Sequence, residues 1–96
     1  MSDEELTEKI NAVKSYEPML RHFRFAHLRS ERMKAMSRGF AETALMIAYS
    51  VPGSAERTVA LRKLVESKDA AVRCVVDVED AEREREELFK AAGVER

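Results

Sequence analysis

From Ser54 onward the chain holds neither proline nor glycine until Gly93, and this unbroken run of about 39 residues limits the fold more than any other feature. As an α-helix it would span roughly 58 Å at 1.5 Å per residue. That is longer than a compact chain of 96 residues is wide. Its apolar positions Leu61, Leu64, Ala71, Val75 and Val78 follow a heptad-like spacing, so the helix must bury a seam against another helix. Lys68 interrupts that seam where a core residue is expected, and it either snorkels to solvent or faces an anion. Beyond Val78 the stripe thins to Ala81 and Leu88, among charges spaced for weak pairing along one helix.

The segments upstream read as helix too. Ser2 and Glu5 form a capping box, and Leu6, Ile10 and Val13 follow at helical spacing, which predicts a short first helix over 3–16. It should end before Pro18. Residues 19–29 read as a connector, extended or an irregular turn, in which Phe23 and Phe25 alternate with Arg21, His22 and Arg24. Ser30 then caps a second helix over 30–50, with Met33, Met36, Phe40, Ala44 and Ile47 on one stripe. Val51-Pro52-Gly53-Ser54 stops it and caps the third helix, over 54–92. So short a loop predicts antiparallel neighbours. The expected fold class is all-α: one domain over 1–96, a short N-terminal helix and an antiparallel helical hairpin with a long C-terminal helix, oligomeric because a single small core is marginal.

Composition excludes several functions. The one cysteine, Cys74, can form no internal disulfide, and the opening Met-Ser-Asp-Glu-Glu is unlike a secretory leader. Both favour the cytoplasm, and no run approaches a membrane span. Cys74, beside Val75 and Val76 and without a neighbouring His, reads as a packed small hydrophobe. His22 and His27 are badly spaced for a metal, and no phosphate-binding glycine loop, nucleophile elbow or dinucleotide fingerprint is present. No enzyme, metal or cofactor is therefore expected.

The net charge of −1 conceals a basic middle between acidic ends, with twelve bases and six acids over residues 11–76 and four bases and eight acids over 77–96. A duplex-binding helix would carry little acid among its bases, whereas Glu56, Glu66 and Asp69 are interleaved with Arg57, Arg62, Lys63, Lys68 and Arg73. Nucleic acid is not favoured. The turn before the third helix gathers free backbone N–H groups, the Ser54 and Thr58 hydroxyls, Arg57, Arg62 and Lys63. A small anion suits that chemistry, and so does an ordinary capped helix start with solvated bases. Phe23 and Phe25 divide in the same way between stacking a nucleobase and filling the core.

The stretch Pro52-Gly53-Ser54-Ala55-Glu56-Arg57-Thr58-Val59-Ala60-Leu61-Arg62-Lys63-Leu64-Val65-Glu66 resembles the pattern P-x-S-x-E-[KR]-[ST]-x-A-x-x-K-L-x-E. That pattern marks the phage helical-hairpin domain shared by anti-CBASS and anti-Thoeris sponge proteins. Phe23-Arg24-Phe25-Ala26-His27 is similar to the aromatic and His segment before that hairpin, so the resemblance covers roughly residues 23–76. Glu56 to Leu64 and Lys68-Asp69-Ala70-Ala71-Val72-Arg73 also look like small, mostly uncharacterised actinobacteriophage proteins.

The sponge resemblance implies a helical homo-oligomer, often a hexamer, in the cytoplasm of a bacterial host. It implies binding without hydrolysis of a cyclic oligonucleotide or a cyclic ADP-ribose signal, so that immune effectors stay inactive. Arg57, Arg62 and Lys63 would contact phosphates, Thr58 would donate a hydrogen bond, and Phe23 or Phe25 would stack a base. The sponge families usually continue into Trp-Ala-Asn-Ala, where this chain has Ala70-Ala71-Val72-Arg73. That departure, with the acidic segment after Val78, motivates the alternative of a phage helical protein that binds and inhibits a bacterial host protein.

Overall fold

The computed structural model describes residues 1–13 and 17–93, all helical or connecting, with no strand among them. Helix α1 runs Asp3–Val13, and its expected continuation over 14–16 lies outside the described residues. The Ser2 hydroxyl accepts from the Glu5 N–H at 3.1 Å, which caps it. Leu6, Ile10 and Val13 are buried as their spacing predicts.

The expected connector differs: Pro18–Phe23 forms a short 3-10 helix. Proline fixes φ at its first turn, and Leu20 and Phe23, three residues apart, share one face at three residues per turn. Both are buried, and the chain then turns extended at Arg24 so that Phe25 also points inward, 2% exposed.

Helix α2 spans Glu31–Ser50 and α3 Ala55–Ala91, each capped by a serine whose hydroxyl accepts from the N–H three residues on. Gly93, at φ 71, ends α3, its N–H donating to the Lys90 carbonyl. Helix α3 folds back along α2. Arg57 near its start donates to the Val51 and Ala48 carbonyls at the end of α2, while Glu79 accepts from Ser30 at 2.8 Å and Glu82 pairs with Arg32 at the beginning.

Two stripes are rotated from their expected positions. On α2 the buried residues are Met33, Ser37, Ala41, Ala44 and Leu45, with Met36 40% exposed and Phe40 and Ile47 half-buried. Hydrophobicity favours Met36 and Phe40, but Ala41 and Ala44 allow close packing and so face inward. On α3 Leu61 and Val75 are buried, Leu64 and Ala71 are half-buried, and Val78 is 48% exposed. Cys74 is exposed and not packed.

The core joins Leu6, Ile10, Leu20, Phe23, Phe25, Ala41, Ala44 and Leu61. Each large side chain there contributes about 1.5–3 kcal/mol by burial. The core occupies one end of an elongated body, 59 × 25 × 17 Å, with a radius of gyration of 17.2 Å. A compact chain of this length has about 12–13 Å. Every residue from Ala81 to Leu88 is exposed, with Glu82 ion-paired to Arg32 of α2. Among the described residues, no helix is long and apolar enough to cross a membrane.

Candidate anion-binding cleft

The segment from Pro18 to Leu28 alternates because each residue that enters the core leaves its neighbour outside. Leu20, Phe23 and Phe25 go in, and Arg21, His22, Arg24 and His27 are exposed. Arg24 Nε donates to the Arg21 carbonyl at 3.2 Å, which holds the two guanidinium-bearing residues close. The outward side faces the middle of α3, and between them lies an open cleft of about 810 Å³. Its polar lining includes Arg21, His22, Arg24, His27, Lys68, Asp69 and Arg73.

Four permanent cations from two elements thus surround a cleft with one carboxylate. That carboxylate and Lys68 engage each other, with Nζ 2.7 Å from Asp69 Oδ1, which leaves the lining a net excess of three positive charges. Lys68 is the residue that interrupts the apolar seam, and its side chain is only 14% exposed. A lysine is costly on a packed face, and here its charge reaches the cleft rail. Ser37 of α2 also lines the cleft. The residue is 2% exposed and its Oγ has no hydrogen-bond partner, which is unusual because buried hydroxyls are nearly always satisfied.

Convergent cations and two imidazoles suit a phosphate-bearing ligand. No group of His, Cys, Asp and Glu that would hold a metal ion occurs among the described residues.

None of the six residues expected to bind ligand lines this cleft. Phe23 and Phe25 are 1% and 2% exposed, so their rings pack against protein and offer no face for a base to stack on. Arg57 is committed to Glu17 at 2.5 Å and to the carbonyls of Ala48 and Val51, so its charge is already neutralised. Thr58 Oγ1 donates back to the Ser54 carbonyl at 3.2 Å. Arg62 and Lys63 are exposed on α3. The turn before α3 is therefore a capped helix start clamped by an arginine. The basic partners of Phe23 and Phe25, and Lys68, were the informative positions. Ser37 carried no sequence signal, and nothing in the sequence joined His27 to Arg73, because only tertiary packing brings them together.

No protein-family model, curated protein or solved structure matches the chain.

Proposed function

We propose that this chain is a non-enzymatic, phage-encoded binder that sequesters an anionic nucleotide immune signal of the cyclic oligonucleotide or cyclic ADP-ribose type. The observation that supports it is the cleft: Arg21, Arg24, Lys68 and Arg73 around about 810 Å³, with an unpartnered buried hydroxyl at Ser37. That volume falls within the range of small-molecule sites, about 300–1,000 Å³. The nucleotide class, the phage origin and a helical-hairpin oligomer come from the sponge-domain resemblance of residues 23–76. On this reading the phosphates bind in the cleft, and the turn at Ser54 serves the scaffold.

The test is incubation with cyclic di- and trinucleotides and cyclic ADP-ribose isomers, followed by heat release and chromatography. Depletion of one ligand and its recovery unaltered are expected, with the depletion abolished by Arg24→Glu or Arg73→Glu. Depletion of none sinks the proposal, and recovery of an altered product makes the protein an enzyme.

One observation favours the second reading, inhibition of a host protein: the exposed acidic stretch from Ala81 to Leu88, with Leu88 71% exposed. A stoichiometric host partner lost when residues after Glu82 are deleted, and retained in Arg73→Glu, would favour it over the cleft.

A further inference from the structure

Helix α3 carries two apolar faces, and the rest of the chain covers one. Leu61 and Val75 are buried, and Leu64 and Val65 pack on the core. A second series, Ser67, Ala71, Cys74, Val78, Ala81 and Leu88, repeats at alternating four- and three-residue steps, with Arg85 in the place between the last two. Ser67 and Cys74 each precede a residue of the covered face by one position, so the series lies roughly 100° round the helix from it. Val78 is 48% and Leu88 71% exposed, and Cys74 is exposed. This is the period of a coiled-coil seam, and it runs from the packed part of α3 into the part that extends past α2.

Charge along α3 identifies what covers it. From Ala55 to Arg73 the helix has five bases, of which Arg57 is held by Glu17 and Lys68 by Asp69, and three acids, and from Cys74 to Ala91 it has three bases and seven acids. A second copy laid parallel would set acid on acid over the distal half. Laid antiparallel, it sets the basic half of each helix on the acidic half of the other.

We infer that two copies of this chain pair antiparallel through the outer seam of α3, as a twofold dimer. With Ala71 opposite Cys74 of the second copy, Ser67 meets Val78. Lys63 and Glu84, both exposed and three heptads apart on one flank of the seam, then face each other across the dimer twice by symmetry. Asp69 and Arg73, which line the cleft, lie more than about 100° round α3 from the seam. Lys68 lies on the flank of the seam, about 60° round α3 from Ala71, so the dimer is read by mass and the cleft by ligand depletion in separate variants.

Light scattering of the full chain over a concentration series should approach twice 10.9 kDa. Val78→Glu should give a monomer with unchanged helical circular dichroism. Lys63→Glu and Glu84→Lys should each raise the dimer dissociation constant about tenfold, and the double exchange should restore it, because only the antiparallel register places these residues together. A monomer at every concentration overturns the inference. So does an assembly that Val78→Glu leaves intact, a mass above two copies, or a double exchange without recovery. Because the charge exchanges lie on the helix surface, they keep the test valid even if Val78→Glu misfolds.

Discussion

The guanidinium of Arg57 meets the carboxylate of Glu17 at 2.5 Å, with the two side chains 11% and 9% exposed, and so ties the start of α3 to residues 40 positions earlier. The same guanidinium reaches the end of α2, and Gly53 leaves room for it: an added Cβ there would lie 3.3 Å from Nη2. One arginine thus joins three segments. Removing a single partner would strand a buried charge, so Arg57→Ala or Glu17→Ala should destabilise the fold by about 3–5 kcal/mol in urea denaturation. The double replacement Glu17→Leu with Arg57→Met should be close to neutral. Since Arg57 lies outside the cleft, that double variant should also keep its ligand affinity.

Ser37 presents the opposite case, a buried hydroxyl with nothing to bond. Replacing it with alanine removes an unsatisfied polar group whose burial costs about 1–3 kcal/mol. Ser37→Ala should therefore raise the melting temperature, while weakening binding of the cleft ligand. A variant that is stabilised and binds unchanged would show that the hydroxyl takes no part in recognition.

Lys68 sits between Leu61 and Val75 on the covered side of α3, where an apolar residue would pack without desolvating a charge. Lys68→Leu should stabilise the chain by about 1 kcal/mol or more by the transfer of apolar surface alone. Ligand affinity should fall at least about tenfold, the loss of one charge-assisted contact. Thermal melts and calorimetric titration of the same variant read both effects. Stabilisation with affinity unchanged would remove Lys68 from the site.

The elements were legible because local chemistry fixes them. Ser30 and Ser54 cap as their positions predict, and Leu6, Ile10 and Val13 bury the face their spacing specifies. The face of α2 was not, because Met36 outranks Ala41 in hydrophobicity, while close packing of helices selects the small side chain. The short helix at Pro18–Phe23 was missed because its three-residue period, carried by Leu20 and Phe23, is too brief to distinguish from an alternating strand. Half of the cleft was legible, since alternation around Phe23 and Phe25 already separates an apolar from a basic side. The sequence cannot say that Arg73 and Ser37, on two other helices, complete it.

The two capping serines should respond differently to the same substitution. Ser54 is exposed and accepts one N–H, from Arg57 at 3.0 Å, so Ser54→Ala should cost about 1 kcal/mol. Ser30 accepts from Met33 at 3.0 Å and also donates to Glu79 at 2.8 Å, a bond between α2 and α3 to an ionised group. Ser30→Ala loses both and should cost about 2–4 kcal/mol, the cap plus a charge-assisted bond. Aspartate separates the two contributions. At position 54 it caps as well as serine, so Ser54→Asp should be near neutral, whereas Ser30→Asp keeps the cap but sets a carboxylate against Glu79 and should stay destabilised. Glu79→Gln in the Ser30→Asp background should recover stability, because the amide can donate to the new carboxylate. Equal losses at the two positions in chemical denaturation would mean that the Ser30–Glu79 bond adds nothing to the packing of α3 on α2.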